Sequence, residues 1–308
     1  MALASFLSAG RTLSRHCRVP YSGLSRRFIS SKPSLRRSWI YVPSSSERML
    51  QKSLGTGSDV IIYDLEDSVA PSPEDKANAR ANLKKFLKEA DIGPNSPHIT
   101  VRVNDISTPY FEEDIKEILS NIKVGGVVLA KTHAAEDLDV LSNALREAPL
   151  AEARAFPVEI IPSLESARAM WNLRDIAAWK SKHEPRLGGE LKALMLVIAA
   201  KAFGLDVVDM YKDKDYLRDE CVDGRQLGFT GKQAIHPSQV PIIQSTFVPT
   251  PEEILRAAKI LKGLKNAHIS EAKGAIGIDG EMIDAPMLKQ AEQIIAIAEA
   301  ANLTIPNV

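Results

Sequence analysis

The chain has 308 residues, 44% of them hydrophobic, and its 39 basic side chains are balanced by 39 acidic ones. This composition supplies a core for a globular protein, and zero net charge removes the electrostatic reason to expect nucleic acid or an anionic membrane as a partner. No apolar run reaches the roughly 20 residues needed to span a bilayer, and two cysteines, Cys17 and Cys221, are too few for a disulfide framework.

The start of the chain carries Arg11, Arg15, Arg18, Arg26, Arg27, Lys32, Arg36 and Arg37, many serines, and no acid before Glu47. That pattern predicts a mitochondrial transit peptide over residues 1–37 and a matrix location, with a basic tail of no targeting role as the alternative. Its removal would take Cys17 with it. From residue 38, short apolar runs alternate with amphipathic stretches. SWIYVPS (38–44) predicts a strand and SERMLQKSLG a serine-capped helix. VIIYDLED (60–67) is a second strand, followed by a helix with Ser72 as cap and Pro73 at its first position. HITVRVN (98–104), GGVVLAKTH (125–133) and PVEIIPSLES (157–166) are further strands, each followed by a helical stretch, the last being ARAMWNLRDIAAW.

Five such units in tandem predict a parallel sheet. No Gly-x-Gly-x-x-Gly follows the first strand, so a TIM (β/α)8 barrel over 38–265 is expected rather than a dinucleotide-binding fold. The strand ends then carry the chemistry: Tyr41 and Ser44, then Asp64, Glu66 and Asp67, then Arg102 and Asn104, then Lys131 and His133, then Glu165. One such group alone reads as a structural ion pair; five in succession on the rim where barrels keep their sites read as carboxylates for a cation beside Arg and Lys for an anion. Oxygen donors suit Mg2+. Scattered histidines without a Cys-x-x-Cys or His-x-x-x-His pair argue against zinc.

The stretches YVPSSSERM, DLEDSVAPSPEDKANAR, VRVN, IIPSLESARAM, KAFGLDVVDM, GFTGKQAIHPSQV and MIDAPMLKQA, in this order over about residues 38–302, resemble the HpcH/HpaI aldolase/citrate lyase family. The resemblance implies a magnesium-dependent barrel, a homotrimer, and retro-Claisen cleavage of a 3-hydroxyacyl-CoA such as citramalyl-, citryl- or malyl-CoA. It implies that Tyr41, Arg48 and Lys52 contact the CoA part, that Arg102 grips the substrate carboxylate and that Ile235 and His236 touch substrate. It further implies that Glu165 binds the metal, that Asp64 and Glu66 orient the metal pocket, and that Asp284 serves a neighbouring subunit as acid–base residue. Two alternatives stay open: condensation of the malate or methylmalate synthase type, and a catalytically dead barrel that binds CoA esters or modulates an oligomer.

One departure stands out. The family's sixth strand ends in a Gly-x-Glu-Asp type motif whose Asp is the second metal ligand, whereas here ELKALML runs directly into VIAAKAFGL, with no acid between Glu190 and Asp206. Roughly thirty residues, about one βα unit, are missing near 193–198. The barrel is therefore expected to be incomplete at its sixth unit, ALMLV serving as a clipped strand and IAAKAFG as a stub helix, with metal binding and lyase activity impaired. Beyond it, LDVVDM (205–210) predicts the seventh strand, YLRDECVDGRQLG a helix, KQAIHP the eighth strand and TPEEILRAAKILKGLKNA a capped helix. Residues 266–308 are expected to form a glycine-bearing arm and a terminal helix that make an oligomer contact, with a plain surface hairpin as the alternative to the arm.

Overall fold

The computed structural model describes residues 35–93, 95–149, 151–196, 213–270, 276–278 and 281–308. Strands β1 (Ser38–Pro43), β2 (Val60–Asp64), β3 (His98–Val103), β4 (Gly126–Leu129) and β5 (Glu159–Leu164) lie side by side, all parallel and in chain order. Between them run helices Glu47–Ser53, Pro73–Glu89, Phe111–Ile118 and Ala135–Glu147. The expected caps are made: the Ser46 hydroxyl accepts from the Met49 N–H, and Ser72 does the same for Asp75.

Strand alternation sorts the apolar residues to two faces. Ile61, Tyr63, Ile99, Val101, Val127 and Leu129 pack under the helix layer with Leu83, Phe86 and Leu138. Trp39, Val60, Ile62, Val128 and Ile161 form a separate inner cluster without any helix residue. A strand covered on both faces reads as a continuous apolar run, which is why VIIY is wholly buried.

The helix expected after β5 is broken into Ala167–Trp171 and Leu173–Ala178. Asn172 sits at the break and its side-chain amide donates to the His133 carbonyl, 2.9 Å away. Propensity alone favoured one continuous helix; a hydrogen bond to the rim of β4 overrides it.

The sixth strand position is occupied by two fragments, β6 (Glu190–Leu191) and β7 (Met195–Leu196). Glu190 lies opposite Glu159, and Met195 lies opposite Ser163. The step is four residues on β5 and five on its partner, so one extra residue bulges out between the fragments. Gly189 makes the entry possible: its φ is +79°, and a Cβ there would stand 2.7 Å from Leu145 Cδ1.

After helix Lys214–Gln226, strand β8 (Lys232–Ala234) returns to the far side of the sheet and pairs parallel with β1. Among the described residues the order is β6-β5-β4-β3-β2-β1-β8, with β7 also on β5. Among those residues this is a parallel half-barrel of TIM type, with no strand described between the sixth position and β8, as expected of a barrel incomplete at its sixth unit. The expected seventh strand (205–210) and stub helix lie outside the described residues, as do residues 1–34 of the expected transit peptide.

Helix Pro251–Ser270 begins at a reciprocal cap, in which the Thr250 hydroxyl accepts from the Glu253 N–H and the Glu253 carboxylate accepts from the Thr250 N–H. A division of the chain at residue 265 runs through this helix. It packs against the terminal helix Ala285–Ala300 in a cluster of Ala257, Ile260 and Ala291, joined by Ile283 just ahead of that helix. Between them, β9 (Ile276–Ile278) and β10 (Glu281–Ile283) pair antiparallel as a hairpin.

Candidate active site

Parallel pairing sets Asp64, the last residue of β2, beside Arg102 of β3. Both side chains point from the inner face, and the guanidinium closes on the carboxylate as a fork: Nε donates to Oδ1 and Nη2 to Oδ2, each at 2.7 Å. Asp64 is 1% exposed and also accepts the backbone N–H groups of Glu66 and Ser68. Burial opposes its ionisation, but the bonds and charge of Arg102 outweigh burial and hold the carboxyl below the usual range. Arg102 in turn stacks over the Tyr41 ring, its guanidinium carbon 4.8 Å from the centroid. Burial pushes the Tyr41 hydroxyl upward, so the phenol stays neutral.

The chain then leaves β2 and places two more acids. Glu66, 5% exposed, takes a 2.6 Å bond from Lys131 Nζ and lies 3.1 Å from Arg102 Nη1. Asp67 faces outward, its side chain 58% exposed, and touches both cations at longer range: 3.5 Å from Arg102 Nη1 and 3.4 Å from Lys131 Nζ. Burial raises Glu66, with Lys131 and Arg102 opposing it. The Glu66 bond raises Lys131. Glu165, at the end of β5, is half-buried and takes a long 3.4 Å bond from the Lys131 N–H.

A second layer holds this loop from behind. Lys76 is buried and donates to the carbonyls of Leu65 (2.8 Å) and Glu66 (2.7 Å). The Asn104 amide bonds the Leu65 carbonyl and Asp114, and Asp114 also accepts from Arg80 at 3.1 Å. These supports escaped sequence reasoning, although a signal existed: Lys76 and Arg80 fall in the buried helical register with Ala79, Leu83, Phe86 and Leu87. Lys131 and Asp67 were legible as strand-end members of the rim, without individual roles.

Of the predicted site residues, Tyr41, Asp64, Glu66, Arg102 and Glu165 converge. Asp64 turns out to anchor Arg102, and the fork expected for a substrate carboxylate is engaged by protein acids. Arg48 and Lys52 are exposed one turn apart on the helix after β1. Ile235 and His236 are exposed just past β8, where the Gln239 side chain accepts both backbone N–H groups. Asp284 is exposed and caps the terminal helix by accepting from the Met287 N–H; no contact described within the chain brings it to Arg102.

With all four carboxylates ionised, Asp64, Glu66, Asp67 and Glu165 exceed Arg102 and Lys131 by two negative charges, which a divalent cation would balance. The donors are all oxygens, the hard set that magnesium prefers. Among the described residues no three acid, imidazole or thiol groups come close enough to hold one ion together. Magnesium commonly uses one or two carboxylates and fills its shell with water and substrate oxygens. Glu165, with only a weak backbone contact, fits that single-carboxylate role.

The family described as HpcH/HpaI aldolase/citrate lyase matches residues 37–190, and one described as C–C bond lyase of the TIM-barrel fold matches residues 194–301. Citramalyl-CoA lyase, mitochondrial, of Rattus norvegicus is 30% identical over 92% of this chain and 90% of its own length. A (3S)-malyl-CoA thioesterase of Cereibacter sphaeroides is 32% identical over 86% of this chain and 95% of its own. Protein CitE of Mycobacterium tuberculosis, solved in complex with magnesium, acetoacetate and coenzyme A, superposes with a TM-score of 0.59 at 24% identity, covering 87% of this chain and 99% of that one. The chain, with its half-barrel and its acid–base rim, belongs to the HpcH/HpaI aldolase/citrate lyase family.

Proposed function

We propose that this protein is a carbon–carbon lyase of mitochondria that cleaves a 3-hydroxyacyl-CoA, citramalyl-CoA first, into acetyl-CoA and a keto acid. The observation that carries the reading is the fork between Arg102 and Asp64, with Lys131, Glu66 and Glu165 on the same rim. Its relatives act on citramalyl-CoA and malyl-CoA. The acid-free N-terminal segment and the mitochondrial relatives support the location in mitochondria, and the matrix is the compartment we assign within them.

Magnesium, when bound, would acidify the substrate hydroxyl and stabilise the nascent keto acid. Glu165 would hold it, and the chain's other residues do the rest. Asp64 locks the Arg102 guanidinium in one orientation, so that Nη1 alone faces the rim. The neutral Tyr41 ring supports that guanidinium from its flat face. Arg48 and Lys52, both cationic and exposed beside β1, suit the phosphates of CoA. Ile235 and His236, past the neighbouring β8, line the approach. Asp284 would act in a partner's site within a homotrimer as acid–base residue, taking the proton from the substrate hydroxyl and returning it to the thioester enolate.

The sixth position argues for reduced turnover. It is a bulged strand of two fragments, and no acid follows Glu190 before Asp206. Loss of a second metal carboxylate weakens magnesium binding, which keeps a second reading in play: a barrel that binds CoA esters without cleaving them. Purified protein incubated with citramalyl-CoA and magnesium should release acetyl-CoA and pyruvate slowly. Condensation of acetyl-CoA with glyoxylate at a higher rate would favour a synthase. Binding of acyl-CoA without either reaction would establish the inactive barrel.

A further inference from the structure

Arg102 and Lys131 hold their acids unequally. Asp64 takes Arg102 Nε and Nη2 at 2.7 Å, and Glu66 takes Lys131 Nζ at 2.6 Å and lies 3.1 Å from Arg102 Nη1. Asp67 touches the same two cations only at 3.5 and 3.4 Å, and it is the one acid of the three whose side chain is mostly in solvent, 58% against 1% and 5%. A carboxylate at hydrogen-bond range of two cations yet bonded closely to neither is weakly held.

Lys131 is itself held with care. Its φ is +50°, a left-handed conformation that costs a non-glycine residue energy and persists only where the surroundings enforce it. The enforcing contacts run to the rim of β5 and beyond: Thr132 N–H to the Ser163 carbonyl at 3.1 Å, His133 Nδ1 to the Ser166 hydroxyl at 2.7 Å, and Asn172 to the His133 carbonyl. This twist turns the Lys131 N–H toward Glu165 while Nζ reaches Glu66. Its side chain is 43% exposed against 12% for Arg102, so Lys131 is the cation an incoming anion meets first.

We infer that Asp67 is an internal stand-in for the substrate, holding between Arg102 Nη1 and Lys131 Nζ the position that a small carboxylate takes on binding. The ligand class is an α-keto or α-hydroxy acid carboxylate, whose two oxygens span the two donors that Asp67 now touches. Binding displaces Asp67 into solvent, where it is already half placed, and leaves the Asp64 and Glu66 bonds intact. Lys131 is thus a specificity residue for the anion and Asp67 a competitor against it. The inference deepens the lyase reading by naming the residues that select its acid portion.

The test is calorimetric titration with pyruvate in the presence of magnesium, on the full chain and three variants whose melting temperatures are measured alongside. Asp67→Asn should tighten pyruvate about three-fold, since it removes a partly exposed ionic competitor. Lys131→Met should weaken it about ten-fold, the scale of a lost charge-assisted bond, and Lys131→Arg should restore most of that loss. Pyruvate binding that weakens or stays unchanged in Asp67→Asn overturns the inference, and so does a failure of every variant to bind pyruvate. Tighter pyruvate binding by Asp67→Asn with no cleavage of citramalyl-CoA would sustain the stand-in and defeat the lyase reading, so the two fail separately.

Discussion

Three acids within four positions end β2, and their surroundings give them different weights. Asp64 is sealed from water and makes four bonds, two to Arg102 and two to backbone N–H groups. Breaking a buried pair strands its partner charge and costs about 3–5 kcal/mol, whereas exposed pairs contribute about 0–1 kcal/mol. Asp64→Asn should therefore lower stability by about 3 kcal/mol and Asp67→Asn by less than about 0.5 kcal/mol, read from urea midpoints at constant slope. Equal losses would show that Asp64 is not the anchor of Arg102. The acids themselves were legible as a strand-end cluster. Which one lies inside was decided by the pleat: Asp64 shares the inward parity of Val60 and Ile62, while Asp67 falls on the turn beyond the strand.

At the opposite end of the sheet, strand pairing builds a second charged group. Glu159 opens β5 with Arg36 Nη2 at 2.6 Å and His98 Nε2 at 2.9 Å. The Arg36 contact is a directed hydrogen bond, while the His98 ring meets Glu159 Oε2 off the bonding direction, so that approach is electrostatic. Burial works against the charge, yet these partners prevail and hold the carboxyl down at about 2. A depressed carboxylate adds stability that is complete above its ordinary value near 4.5 and is lost as pH falls toward about 2. Glu159→Gln should accordingly narrow the gap between melting temperatures at pH 5 and pH 2.5, removing acid sensitivity worth about 2–3 kcal/mol. An unchanged acid limb would mean that the pair is not formed in solution. Helix and strand positions were mostly readable from period and caps. The break at Asn172 was not, because only the carbonyl of His133 on a neighbouring rim makes it favourable.

Across the whole molecule, the parallel sheet is one strand position short of enclosure among the described residues, and the sixth position is a bulged strand of two short pieces. The two family matches meet at this place, one ending at residue 190 and the other starting at 194. Barrel closure couples strand number to tilt and stagger, so a shortened unit weakens its neighbours as well as itself. Inserting a sixth βα unit of about 30 residues, taken from a relative and ending in its acidic motif, should raise the melting temperature and bring magnesium affinity into the calorimetric range. A graft that changes neither would mean that the clipped form is a complete design of its own.

Local order by itself determined the alternating strands and helices, the serine and proline caps and the oxygen-rich rim, since each rests on neighbours along the chain. The tertiary structure alone decided that Arg102 spends its fork on Asp64, that Lys76 holds the loop from beneath, and that Lys131 takes a left-handed turn to join Glu66 and Glu165. Those outcomes depend on register between strands 38, 65 and 34 residues apart (Asp64 with Arg102, Glu66 with Lys131, Lys131 with Glu165), and register is set by packing of the whole sheet.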